Sequence, residues 1–145
     1  AEELGATKTL MFQNKRETLT ALQAIFGNRL PSVTIDTTGH TDAIEICYEI
    51  SLPDARVILV GVPRAGNNAS IYTLPLHFGK LLKGSEGGQS IPERDIPFLL
   101  QLVSNDNLNF DDYPTHSFSL ENINEAIVQL KNGSVGRMII DFCDN

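Results

Sequence analysis

Few of the features that mark specialised protein classes occur in this chain. It has two cysteines, Cys47 and Cys143, almost a hundred residues apart. A small disulfide scaffold carries more, and a structural zinc site needs ligands clustered at short spacing. The two are read as reduced thiols of a cytoplasmic-type protein. The three histidines, His40, His77 and His116, are equally scattered and form no H-x3-H or H-E-x-x-H pair. Nowhere does an apolar run approach the roughly 18 residues that a transmembrane helix requires. The opening residues AEELGATK are too polar to form the apolar centre of a signal peptide. Basic residues are also scarce, at 11 against 18 acidic, for a net charge of −7. The last 45 residues hold two basic and seven acidic side chains. A protein that tracks phosphate backbones carries the opposite balance, so neither nucleic acid nor membrane is an expected partner.

What is present fits one soluble globular chain: 145 residues, 41% hydrophobic and 20% charged, with 11 glycines and 7 prolines. That is enough to bury a core, and no bias points to collagen, coiled coil or disorder. Thr9–Phe12 is a short β-prone run. Arg16–Phe26 spaces Leu19, Leu22, Ile25 and Phe26 at helical intervals, and Gly27-Asn28 stops the helix. Ser32–Thr37 reads as a strand. Asp42–Ile50 reads as a helix capped by Thr41 or Asp42, with Ile46 and Ile50 on one face. Ala55–Val62 is almost continuously apolar and rich in β-branched residues, as expected of a strand buried on both faces of a parallel sheet. Alternating strands and helices of this kind are the α/β signature.

Beyond Pro63 the pattern changes. Arg64–Ala69 is a loop, Ser70–Thr73 a short strand and Leu81–Ser85 another. The glycine-containing stretch Glu86–Ser90 is a flexible joint and the candidate domain boundary. Pro92 opens a helix that runs to about Ser104, in a position where its missing N–H costs little. Thr115–Phe118, Leu120–Lys131 and Gly136–Phe142 then form a second strand–helix–strand group, with Asn132-Gly133 as the helix stop. Asp111-Asp112, beside Asn107 and Asn109, reads as a solvated turn. There is no internal repeat.

Three blocks, ARVILVGVP, LPLHFGKLLKGSEGG and THSFSLENINEAIVQLKNGSVGRMIIDF, resemble the zinc-containing medium-chain alcohol dehydrogenases in that order and spacing. AEELGAT and TIDTTGH resemble the nucleotide-binding half of the same family. The resemblance spans essentially the whole chain. Its register implies the C-terminal part of such an enzyme, starting partway through the coenzyme domain. The implied fold is α/β: an incomplete Rossmann-like, doubly wound parallel sheet over residues 1–86, then residues 87–145 as the return segment of the GroES-like catalytic domain. A G-x-G-x-x-G turn is absent, since Gly84, Gly87 and Gly88 have the wrong spacing.

The implied activity of the intact enzyme is hydride transfer between an alcohol or aldehyde and NAD, with zinc as Lewis acid. The family's zinc ligands match neither Cys47 nor Cys143, so this chain is expected to supply no metal ligand and no catalytic residue, and to be inactive alone. Carried over position by position, Val60, Gly61 and Val62 line the nicotinamide, with Gly61 allowing its close approach. The two valines serve equally well as plain strand core. Thr38 and Gly39 face the adenine side or form an ordinary strand-to-helix turn. Ser85 and Glu86 reach the carboxamide through backbone groups, Glu86 standing where relatives often have an aromatic. Arg137 bridges to the pyrophosphate, since guanidinium forms paired, charge-assisted bonds to phosphate. His77 and His116 are expected to pack rather than react. The family pattern further implies a homodimer through Ile71, Tyr72 and Thr73, leaves Thr9–Phe12 without its neighbouring strands, and turns Val33–Ile35 into an open edge. Two other readings stay open: a non-catalytic module that oligomerises, and a zinc-free quinone-reductase-type relative using NADP.

Overall fold

The computed structural model describes residues 1–2, 5–105, 114–133 and 136–142. Cys143, Asn107, Asn109, Asp111 and Asp112 lie outside them. The chain divides into two units, residues 1–89 and 90–145.

In the first unit, helix α1 (Lys15–Phe26) begins at Asn14, whose side chain accepts a hydrogen bond from the Glu17 N–H. It ends at Gly27, which has a positive φ of 54° that glycine adopts without steric cost. Strand β1 (Val33–Asp36), helix α2 (Thr41–Ile50), strand β2 (Arg56–Leu59) and strand β3 (Leu81–Gly84) follow. The strands form one parallel sheet in the order β1-β2-β3, with Ile35 opposite Ile58 and Ile58 opposite Lys83. α2 packs on β1 and β2, and α1 packs on α2. Ile44, Ile46, Tyr48 and Ile50 of α2 are all buried, together with Leu19, Ala55 and the fully enclosed Val57. Thr34 on this face donates its hydroxyl to the Cys47 carbonyl at 3.0 Å.

Side chains alternate across a strand, so Val33 and Ile35 of β1 stand on the other face. No helix of this unit covers them, and they stay 39% and 57% exposed. This overturns the expectation that Ala55–Val62 is buried on both faces. The strand stops at Leu59, Val60 is 46% exposed and Val62 86% exposed, because the helix of this unit that packs on the sheet, α2, covers one face of it. Two other expectations also change. His40, not Thr41 or Asp42, takes the N-cap position of α2, and its side chain makes no capping bond. Ser70–Thr73 forms no strand, and a 3-10 turn over Leu74–Phe78, ended by the left-handed Gly79, leads into β3. As the resemblance implies, Thr9–Phe12 is left without neighbouring strands and belongs to no described sheet, and residues 6–10 lie against the end of α1 along a groove of about 780 Å³.

The second unit holds helix α3 (Pro92–Asn105), strand β4 (Pro114–Ser119), helix α4 (Ile123–Lys131) and strand β5 (Arg137–Asp141). β4 and β5 pair in parallel across α4, whose first turn is preceded by a 3-10 turn over Leu120–Asn122. Gly133, at φ +65°, follows the helix end at Asn132.

Candidate functional site

Parallel strands present all their carboxyl ends at one edge of a sheet, and open α/β sheets bind ligands there. Here that edge collects Thr38 and Gly39 after β1, Val60, Gly61 and Val62 after β2, and Ser85 and Glu86 after β3. Seven of the eight positions picked out in the sequence therefore fall on one edge of one sheet. The eighth, Arg137, is the exposed first residue of β5 in the second unit.

One residue organises this edge, and no expectation included it. Asp36, the last residue of β1, is 3% exposed. Its Oδ1 accepts the Thr38 N–H at 3.0 Å and the Thr38 hydroxyl at 2.7 Å, and its Oδ2 accepts the Gly39 N–H at 2.9 Å. Its carbonyl accepts the N–H groups of Val60 and Gly61, at 2.8 and 3.0 Å. A buried carboxylate needs such partners, because an unpaired charge out of water is costly. The signal was present in the sequence: an aspartate two residues before a backbone donor, in D-T-T-G, is the pattern of an Asx turn.

The two loops that Asp36 ties together also interlock through glycine. Gly39 has φ +68°, and a Cβ there would lie 2.5 Å from the Val62 carbonyl oxygen. A Cβ on Gly61 would lie 2.5 Å from the Thr38 nitrogen and closer still to that of Gly39. Gly61 thus has a reason besides the expected room for a ring to approach. Its missing side chain is already required by the chain's own backbone.

These bonds decide which groups of the edge are left for a ligand. The N–H groups of Val60 and Gly61 are committed to Asp36, and the Ser85 N–H donates to the Leu59 carbonyl at 2.8 Å. The Ser85 hydroxyl accepts the Gly88 N–H at 3.0 Å, and the Glu86 carbonyl accepts the Gln89 N–H at 2.8 Å. The Val60 carbonyl has no such donor among the described residues. It sits between two exposed valine side chains, which are too open to be the strand core also considered for them. Beside this edge Thr38, Gly39, His40, Val62, Arg64 and Asn67 line a pocket of about 470 Å³.

Away from the edge, Lys80 is 7% exposed and donates to the Tyr48 carbonyl (2.7 Å), the Ser51 carbonyl (3.2 Å) and the Ser51 hydroxyl (3.0 Å). Its ammonium also lies 4.5 Å above the Tyr48 ring. Burial pushes its pKa below the usual lysine value. All three of its donors are used, so this lysine holds α2 to the start of β3 rather than waiting for a substrate. Burial likewise pushes the Cys47 thiol up, away from thiolate chemistry. His77 and His116 are exposed, His116 stacking on Phe118 at 6.4 Å. Among the described residues no group of three or more His, Cys, Asp or Glu side chains is placed to hold a metal ion.

No family model matches the chain. Individual proteins do. Alcohol dehydrogenase 2 of Solanum lycopersicum is 32% identical over 114 residues, covering 77% of this chain and 30% of the relative. The S-(hydroxymethyl)glutathione dehydrogenase of Aspergillus oryzae is 30% identical over 113 residues, covering 75% and 29%. Among solved structures, the alcohol dehydrogenase zinc-binding domain protein from Burkholderia ambifaria superposes with a TM-score of 0.80 at 25% identity, over 99% of this chain and 38% of that one. In sequence and in fold alike, the chain belongs with the medium-chain alcohol dehydrogenases, and it spans about 30% of the length of the curated relatives it matches.

Proposed function

We propose that this chain is the part of an alcohol dehydrogenase-like oxidoreductase that receives the nicotinamide half of NAD, in an enzyme that moves hydride between an alcohol or aldehyde and that cofactor. One observation carries the reading. The carboxyl edge of the sheet is tied together by Asp36, yet the Val60 and Val62 side chains are exposed and the Val60 carbonyl accepts no hydrogen bond from a described residue. Exposed valines offer an apolar surface to one face of a flat ring, and a carbonyl accepts from a carboxamide NH2. NAD, when bound, supplies the hydride acceptor. The residues of this chain orient the ring and shield one of its faces from water. Ser85 cannot use its N–H for the carboxamide, since that donor closes the sheet, so the contribution of Ser85 and Glu86 is confined to their remaining backbone groups. Arg137, on the second unit, is the proposed partner of the pyrophosphate.

Zinc, which the family implies, does not fit the described residues, because they bring no ligand cluster together. No step through the metal is assigned to this chain. Residues 1–86 are read as the back half of a coenzyme domain, and residues 87–145 as the returning segment of the catalytic domain. We place the protein in the cytoplasm, as a homodimer through Ile71, Tyr72 and Thr73. Within the chain Tyr72 is 70% exposed and the following Leu74 and Phe78 are exposed too, an apolar stretch suited to burial against a second copy.

The test is an NMR titration of the 145-residue chain with NAD. Binding in the millimolar range, worth about 4 kcal/mol, is expected to shift the amides of Thr38 and Val60–Val62, and Val62→Asp is expected to abolish the shifts. Shifts confined to other regions, or none at near-saturating NAD, would refute the assignment.

A further inference from the structure

The pocket of about 470 Å³ next to the carboxyl edge is lined by an arginine, a histidine, an asparagine and a threonine, with no carboxylate in its wall. In a chain of net charge −7 that is an unusual local composition. The described ion pairs occupy Lys15 and Arg94, whereas the Arg64 guanidinium makes no hydrogen bond or ion pair with any described residue. Arg64 is nevertheless not on a free strand of chain. Its carbonyl accepts the Asn67 N–H at 3.1 Å, closing a turn that brings Arg64 and Asn67 to the same pocket. On the opposite wall the Thr38–Gly39–His40 segment is fixed by Asp36 and by the His40 N–H, which donates to the Thr38 hydroxyl at 3.0 Å. The His40 ring rests on Phe12, 5.8 Å between centroids. Two fixed backbone segments thus bring Arg64, His40 and Asn67 around one space.

We propose that this pocket is an oxyanion subsite, recognising a phosphate or carboxylate group carried by the ligand of the carboxyl edge, with Arg64 as its principal contact. A guanidinium presents paired N–H donors that match two oxygens of such a group, and Asn67 and His40 add donors from the sides. Two acids are near in sequence: Asp36, buried behind the pocket wall with its oxygens taken by Thr38 and Gly39, and Asp42 in the first turn of α2; neither lines the pocket. The proposal rests on the coenzyme-edge reading only for which molecule carries the oxyanion. The subsite itself stands on the pocket and its unpaired guanidinium.

The two parts are separable by experiment. The full chain is titrated by NMR with inorganic phosphate and, in parallel, with acetate, against sodium chloride at matched ionic strength. Saturable shifts at the Arg64 Nε–H, the Asn67 side-chain amide and the His40 ring support the subsite, and the better-binding anion of the two identifies the group it takes. Arg64→Gln is expected to weaken binding about tenfold, and Arg64→Lys, which keeps the charge without the fork, by less. Shifts reproduced by chloride alone, or unchanged in Arg64→Gln, would overturn the proposal. A parallel NAD titration reads the amides of Val60–Val62. If those move while phosphate and acetate have no effect, the subsite fails and the coenzyme edge survives. If the anions bind and NAD moves nothing, the subsite survives and the coenzyme edge fails.

Discussion

Removing the Asp36 carboxylate is expected to loosen two loops at once, because the same residue holds Thr38 and Gly39 through its side chain and anchors Val60 and Gly61 through its carbonyl. Asp36→Ala strands the buried N–H of Gly39 and frees the part-buried N–H of Thr38, and a buried donor left unpaired costs about 1–3 kcal/mol, a loss to be read from the midpoint of urea unfolding. Gly61→Ala tests the interlock from the other side. Extra atoms forced into packed structure cost about 1–3 kcal/mol, and here the clash is with backbone that cannot rotate away, so the upper end is expected. An alanine variant as stable as the parent would show that the loops separate easily. At this scale the sequence was informative about place more than about reason. It put Gly61 on the carboxyl edge of the sheet, but it could not show that the glycine faces another glycine from a loop more than twenty residues away.

Glu45 of α2 joins three elements. It accepts from the Lys15 amine at the start of α1 and from the Ser70 N–H at 2.6 Å, and these bonds, Lys15 first, hold its pKa below the ordinary glutamate value. The folded chain therefore gives up this proton more readily than the unfolded one. The stabilisation is fully present above about pH 4.5 and is lost as the pH falls through the depressed folded value. Glu45→Gln is expected to flatten the acid limb of the stability curve while changing neutral stability by about 1 kcal/mol or less, as suits a pair with a partly exposed lysine. An acid limb as steep as the parent's would assign the effect to other groups. The same anchor explains why Ser70–Thr73 is not a strand. Its first N–H is taken by a side chain on α2, and among the described residues no strand pairs with it. Helix periodicity made α1, α2 and α4 legible to within a few residues. Strand ends were less so, because the β-branched run of Ala55–Val62 continues past the point where its ladder partners stop.

For the molecule as a whole, the blocks that carried the family resemblance hold β2, β3, β4, α4 and β5 close to where expected, although the strand expected over Ala55–Val62 ends early, and the relatives confirm the family. The open edge at Val33–Ile35 followed from the resemblance, whereas the uncovered face of the first unit and the grooves were not legible, since they depend on what lies beside each element and not on its own residues. If Tyr72 and its neighbours bury against a second copy, Ile71→Glu with Tyr72→Glu should convert a dimer to a monomer in sedimentation. A dimer that persists would place the contact elsewhere. The three-stranded sheet also dictates how the chain trades its amide hydrogens with heavy water. β2 is bonded on both sides, whereas β1 and β3 each turn every second amide away from their single partner. Exchange in this unit should therefore be slowest along Arg56–Leu59 and alternate fast and slow along Val33–Asp36, so that the rhythm of labelling, residue by residue, traces the outer strand of the sheet.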